Sequence, residues 1–384
     1  MQVANGVYCI SVNDKKIDLF EGQFPVPNGI AYNSYVIVDE KIAVFDTVDK
    51  SFGEEWLGRI KEILQDKTPD YLIIQHMEPD HSANIVAFTK TYPNAKILSS
   101  SKSFMMMKNY FGTDFADRQA VVGEGSTLSL GRHNLTFFAA PMVHWPEVLV
   151  CYDNTDKILF SADAFGKFGA TDVEEEWACE ARRYYFGIVG KYGVQVQNLL
   201  KKLAGFEITK ICPLHGPVLQ ENLEYYLHLY NIWSSYGVET EGVMIAYTSV
   251  YGHTKEAVAL LAERLRAKGC QKVVVTDLAR AERTEAVEDA FRYGKIVLAT
   301  TTYNGEIFPF MRDFIHELTE RNFQNRTVGF IENGSWAPMA TRVMQGLLEK
   351  CKNLHYAQSS PRILSAMTEE NKAEIERLAE ELLK

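Results

Sequence analysis

Tyr71-Leu72-Ile73-Ile74-Gln75-His76-Met77-Glu78-Pro79-Asp80-His81 is the stretch on which the reading of this chain turns. Its first five residues form a short apolar run that predicts a buried strand. Pro79 cannot continue a helix and has no N–H to give a sheet, so the strand is expected to end here and the chain to leave it extended. In an extended segment alternate side chains share a side, which aims His76, Glu78 and Asp80 one way with His81 adjacent. Two imidazoles and two carboxylates crowded at one strand end are unfavourable unless a cation joins them, and a metal is the usual answer. A charged surface loop is the alternative, but four potential ligands in six residues after an apolar strand favour the metal.

Working outward, the same device recurs. Residues 31–38 and 42–47 predict two strands, and 52–65 has helical spacing with Trp56, Ile60, Ile63 and Leu64 on one face. A helix over 82–92 leads away from the hexapeptide. The strand 135–140 runs into Pro141-Met142-Val143-His144-Trp145-Pro146, the strand 157–161 ends at Ala162-Asp163-Ala164, and the strand 207–212 ends at Pro213-Leu214-His215-Gly216-Pro217. Four strand ends thus each offer a His, Asp or Glu at a turn, where a sheet can hold side chains toward one cleft. A lone His144 or His215 reads as a structural histidine; the repetition shifts the balance toward ligands.

The set His76, Glu78, Asp80, His81, His144, Asp163 and His215 resembles the metallo-β-lactamase-like domain of the flavodiiron proteins, the A-type flavoproteins. The resemblance implies an αββα sandwich of two mixed sheets with helices outside. It also implies that His76, Glu78 and His144 bind one iron, that Asp80, His81 and His215 bind the other, and that Asp163 bridges them. Zinc hydrolases of the same superfamily carry H-x-H-x-D-H, whereas this chain has Glu78 at the second position. A carboxylate there makes the site harder and more anionic, which suits an iron pair. Asn28 stands where family members often carry a His. Ala181-Arg182-Arg183-Tyr184-Tyr185 resembles a family segment near the iron pocket, with core aromatics on a helix as the plainer reading. The acidic run Glu174-Glu175-Glu176 reads as a solvated helix start.

The small, polar stretch 234–242 marks a change of texture. It divides the chain into a diiron domain over 1–240 and a second domain over 241–384. In the second, strands 243–247, 272–276, 295–299 and 327–331 alternate with helices, including 255–267 and 369–383, which predicts a doubly wound parallel sheet. Ligands on such sheets bind at the C-terminal strand ends. Thr248-Ser249-Val250-Tyr251-Gly252-His253-Thr254 sits at one such end, with hydroxyls and a Gly before a helix N-terminus, a ready anion site. It has no G-x-x-x-x-G-K-[ST], which excludes a P-loop NTPase. This loop resembles the flavodoxin phosphate loop. The loops carrying Thr301-Thr302-Tyr303-Asn304-Gly305 and Asn333-Gly334-Ser335-Trp336 resemble the pair that grips the isoalloxazine ring. Together the two resemblances imply an N-terminal metallo-β-lactamase-like sandwich followed by a flavodoxin-like sheet, with FMN and two irons as cofactors.

Composition bounds the function classes. The 384 residues are 46% hydrophobic and 23% charged, ordinary for a globular protein. A formal charge of −10 argues against a nucleic-acid partner. No apolar run reaches the roughly 18 residues of a membrane span, and the N-terminal residues predict no signal peptide. The six cysteines are scattered, with no C-x-x-C pair for a rubredoxin or iron–sulfur site, as suits reduced thiols in the cytoplasm. FMN passes single electrons, so the resemblance implies reduction of O2 to water, of NO to N2O, or both. The electrons would come from an external donor, usually rubredoxin. It also implies a head-to-tail homodimer in which the FMN of one subunit faces the irons of the other. Two other readings compete: a two-metal hydrolase with an added flavodoxin-like domain, and a pure electron carrier whose first domain is structural.

Overall fold

The strands Ile30–Val38 and Ile42–Phe45 are buried on both faces, which is why they read as apolar runs rather than as alternations. The computed structural model describes residues Met1–Lys384, which form two compact units, Met1–Asn231 and Ile232–Lys384.

The first unit holds two mixed sheets. One has seven strands in the order Gln2–Ala4, Val7–Asp14, Ile30–Val38, Ile42–Phe45, Tyr71–Ile73, Lys96–Ser99, Gln119–Val121. The other has five, in chain order from Thr127–Ser129 through Asn134–Ala139, Leu149–Asp153 and Ile158–Phe160 to Lys210–Cys212. Their inner faces form one apolar core; Phe45 of the first sheet stacks on Phe160 of the second with ring centroids 4.3 Å apart. On the outside of the seven-stranded sheet, the helix Gly53–Leu64 turns Trp56, Ile60 and Leu64 inward at i, i+4 and i+8. Ile63, expected on that face, is half-buried.

Sheet direction puts the functional residues at one edge. Asn134–Ala139 and Ile158–Phe160 are each antiparallel to Leu149–Asp153, and Lys210–Cys212 is parallel to Ile158–Phe160. The three therefore run the same way, and their C-terminal ends carry His144, Asp163 and His215 into one region. In the other sheet Ile42–Phe45 and Tyr71–Ile73 are parallel neighbours.

The exit from Tyr71–Ile73 is extended only as far as Glu78. Pro79 then opens a helical turn, Pro79–Ser82, because a missing N–H and a fixed φ suit the first position of a helix. The helix expected over 82–92 is observed as Ile85–Thr91. The strand expected over 207–212 is confined to Lys210–Cys212.

In the second unit the parallel strands Val273–Asp277, Thr240–Tyr247, Tyr293–Tyr303, Thr327–Asn333 and His355–Tyr356 lie side by side in that order. The chain order 2-1-3-4-5 places a topological switch point beside Thr240–Tyr247. Residues 236–240 are tied into this unit. The buried Arg326 guanidinium donates to the carbonyls of Tyr236 and Gly237 at 2.9 and 2.8 Å and also to that of Phe291. Burial lowers its pKa to about 10. The unit accordingly begins at Ile232, ahead of residue 241. No helix of the chain is long and apolar enough to cross a membrane.

Candidate functional sites

The seven residues singled out at the strand ends of the first unit come together as two groups. His76, Glu78, His144 and Asp163 form one, and Asp80, His81 and His215 form the other, with the donor atoms of each group within 4.8 Å of one another. In the first group, Glu78 Oε2 lies 3.0 Å from His144 Nε2 and 3.2 Å from His76 Nε2. In the second, His81 Nε2 and His215 Nε2 are 3.0 Å apart, and Asp80 Oδ2 lies 3.3 and 3.4 Å from them. Asp163 faces both. Its Oδ2 is 3.1 Å from His144 Nε2 and 3.3 Å from His76 Nε2, while its Oδ1 is 3.3 Å from His81 Nε2 and 3.7 Å from His215 Nε2.

These spacings fit metal ions. Two nitrogen ligands about 2.1 Å from one ion and at right angles stand about 3.0 Å apart, the His81–His215 separation. Neither oxygen of Asp80 nor Oδ1 of Asp163 receives a hydrogen bond, although all three are buried. Such atoms are costly unless a cation meets them. Three carboxylates with four imidazoles make a hard, anionic donor set of the kind iron takes.

Electrostatics agree. Burial alone disfavours a charge on His76, but Asp163, Glu147 and Glu78 more than reverse this and raise its pKa well above the ordinary value. His144 is likewise pushed down by burial but lifted further by Asp163 and Glu78, to about 9. Asp163, though buried, is held well below the usual carboxylate range by His76 and His81.

The site has two supports that the sequence reading passed over. Asp46, at the end of Ile42–Phe45, accepts hydrogen bonds from the backbone N–H of Gln75 and His76 at 2.8 and 3.2 Å; burial drives its pKa up to about 8. Glu147 Oε1 lies 2.8 Å from His76 Nδ1 and accepts from Met77 N at 2.9 Å. Both residues carried a usable signal, since Asp46 ends an apolar strand and Glu147 is three residues past His144. Tyr184 is buried with its ring 5.4 Å from that of His215. Tyr185 packs on Tyr230 and Phe186. Asn28 donates to Glu175 at 2.8 Å, and Glu175 pairs with the buried Lys167. Glu175 is thus a network member rather than part of a solvated run.

The second unit carries a cleft of about 480 Å³ at the switch point, within the range of roughly 300–1,000 Å³ typical of ligand pockets. Ser249, Val250, Tyr251, His253 and Thr254 line it from one loop, Thr301, Thr302 and Tyr303 from a second, and Asn333, Gly334, Ser335 and Trp336 from a third. The helix His253–Ala267 begins here, so its N-terminal N–H groups favour an anion. Thr254 Oγ1 and Thr301 Oγ1 are buried without a partner, as groups awaiting a polar ligand would be. Tyr251 is 92% and Trp336 82% exposed, flat surfaces that no protein core has claimed.

Thr248, Gly252, Asn304 and Gly305 are not among the lining residues. Thr248 points into the sheet, where its hydroxyl meets that of Thr300 at 2.6 Å. Gly252, at φ +101°, makes the turn into the helix. Asn304 and Gly305, at φ 51° and 71°, form the two-residue turn of a hairpin that pairs Tyr303 with Glu306, the turn an Asn-Gly pair favours. Ser365 lines the cleft as well and was not foreseen. It exchanges two hydrogen bonds with Asn333 across 32 residues.

Comparison with known proteins agrees with both halves. The ODP family beta lactamase profile matches residues 30–216 and a flavodoxin domain profile matches 244–358. The nitric oxide reductase of Moorella thermoacetica is 27% identical over 94% of this chain and 92% of its own length. The rubredoxin-oxygen oxidoreductase of Megalodesulfovibrio gigas is 28% identical over 89% of this chain and 87% of its own. The solved structure of rubredoxin oxygen:oxidoreductase from Desulfovibrio gigas superposes with a TM-score of 0.92 at 25% identity, covering 100% of this chain and 97% of that one.

Proposed function

The chain belongs to the flavodiiron proteins, and from that premise we propose that it reduces O2 to water, NO to N2O, or both. The reaction would occur at a non-haem diiron site supplied with electrons through FMN. The observation that carries this reading is the carboxylate of Asp163, whose two oxygens face two separate His/carboxylate sets.

His76, Glu78 and His144 would hold one iron, Asp80, His81 and His215 the other, and Asp163 would bridge them. When bound, such a pair supplies open positions for a diatomic molecule and the means to reduce it, while FMN in the cleft passes electrons one at a time. The chain's own residues prepare the site. Asp46 holds the backbone of Gln75 and His76 in place. Phe20, Tyr32 and Tyr184 stand around His215 with ring centroids 5.4, 5.7 and 5.4 Å away. This aromatic wall shields that side of the ring from bulk water. In the cleft, Ser249, Thr254 and the helix N-terminus would take the flavin phosphate, and Tyr303 and Trp336 would flank its ring.

The six cysteines include no C-x-x-C pair, so within these residues no iron–sulfur or rubredoxin module feeds the flavin; a separate electron carrier such as rubredoxin would do so. The two centres would meet in a head-to-tail homodimer, a closed arrangement that stops at two subunits. Anaerobic turnover of the reduced, iron-loaded protein with O2 and NO separately tests the function. Consumption of neither gas would overturn it. Mixing an iron-dead variant (Asp163→Ala) with an FMN-dead one tests the assembly: proven heterodimers should regain part of the activity, and heterodimers with none would refute the path between subunits.

A further inference from the structure

The inner donor sets of the two metal positions are matched. Each has two imidazole Nε2 atoms, one carboxylate of its own and one oxygen of Asp163. The surroundings of the imidazoles are not. A histidine that binds metal through Nε2 carries its proton on Nδ1, and what receives that proton governs how strongly the ring donates and how firmly it is aimed.

His76 Nδ1 faces the carboxylate of Glu147 at 2.8 Å. Glu147 is 2% exposed, and the same oxygen accepts from Met77 N at 2.9 Å, so it is clamped between ring and backbone. His215 Nδ1 faces only the neutral carbonyl of Ala31, at 2.8 Å. His81 Nδ1 is buried and has no partner at all. Trp145, adjoining the first ligand set, packs edge-on against His76 with centroids 5.2 Å apart and closes the clamp. A second observation points the same way. Asp163 Oδ2 stands 3.1 and 3.3 Å from the first pair of histidines, whereas Oδ1 stands 3.3 and 3.7 Å from the second. Asp163 thus leans toward the first pair.

We propose that Glu147 is a positioning residue that makes the two metal positions unequal. The His76/Glu78/His144 position fills first and releases last, and the Asp80/His81/His215 position is the exchangeable one. An anionic acceptor on Nδ1 gives the His76 ring partial imidazolate character and a fixed orientation, while the second position has no such support. The inference rests on the diiron reading and goes beyond it, since that reading treats the two ions alike.

The test uses the full chain with FMN bound and metal removed, titrated anaerobically with Co(II). The wild type should bind two equivalents in two resolved steps. Glu147→Gln keeps the shape but removes the charge, and it should weaken the first step about 10–100-fold while leaving the second in place. Glu147→Asp should recover part of the loss. With one equivalent of 57Fe(II), the wild type should show a single Mössbauer doublet and Glu147→Gln two. A merely structural role would lower the melting temperature of the metal-free protein without changing this distribution. Two equivalents bound in one unresolved step by the wild type would overturn the inference and leave the diiron reading standing. So would a Glu147→Gln isotherm in which both steps weaken equally, or neither does. Fewer than two equivalents bound by the wild type would overturn the diiron reading itself.

Discussion

The metal centre and the flavin cleft are built in opposite ways. The centre is made of charged side chains, nearly all buried, carried by the turns and loops that follow strands within one sandwich. The cleft is made of hydroxyls, backbone and exposed aromatics carried by loops at one edge of a parallel sheet. A buried charged cluster depends on the cation it binds, and removal of one ligand leaves others unpaired. An open cleft of neutral groups stays hydrated when empty, and its contacts are lost one at a time. The first should fail all at once and the second by degrees.

The largest expected effect follows directly. Asp163→Ala removes an oxygen from both metal groups and should abolish iron binding and gas reduction, while FMN content stays at one per chain. Iron analysis and the flavin spectrum check this, and full iron content would refute the bridging role. On the other side of the comparison, Ser249→Ala or Thr254→Val should weaken FMN by about 10–100-fold, as for a lost hydrogen bond to a charged group. Iron content should be untouched. Titration with FMN measures the loss, and complete failure to bind from one substitution would mean that the cleft is as interdependent as the centre.

A third, smaller effect concerns independence. A fragment comprising 232–384 should fold alone and bind FMN. A fragment beginning at residue 241 lacks the Tyr236 and Gly237 carbonyls that satisfy Arg326 and should be less stable by about 2–3 kcal/mol, since a buried charge loses partners. Urea unfolding of the two fragments decides; equal midpoints would show that residues 232–240 contribute nothing.

The smallest effect is one of pH. In the metal-free protein His144 has its pKa raised from 6.5 to about 9, so its stabilising charge is fully present below pH 6.5 and is lost as pH rises through 9. The transition of the first unit should fall by roughly a few degrees across that window. With metal bound the proton is already displaced, and the fall should vanish. Calorimetry of both forms at pH 6.5 and 9 makes the comparison, and identical behaviour would remove the proton–metal competition.

Legibility in the sequence tracked locality. The strand-ending His144, Asp163 and His215 were visible because an apolar run followed by Pro or Gly marks a strand end in a few residues. Asn304-Gly305 was visible as part of a loop, but its strong hairpin signal was passed over, so the strand Tyr293–Tyr303 extends further than expected. The extended reading of 79–81 fails because a proline that ends a strand can equally begin a helix. Ser365 was missed because its partner lies 32 residues away; Glu147 stands near His144 in sequence, but nothing local ties it to the His76 ring 71 residues away.

The sequence by itself determined the order of elements, the parallel sheet of the second unit and the candidate ligands after apolar strands, because each depends on periodicity or turn chemistry within about ten residues; the two-sheet sandwich came only with the family resemblance. The grouping of the seven around Asp163 was already implied by that resemblance. Only the tertiary structure decided that Thr254 faces the cleft while Thr248 faces the sheet, and that Glu147 stands behind His76. Those outcomes depend on strand direction and register across the sheets. Register is set by packing of the whole core, which no short window of sequence contains.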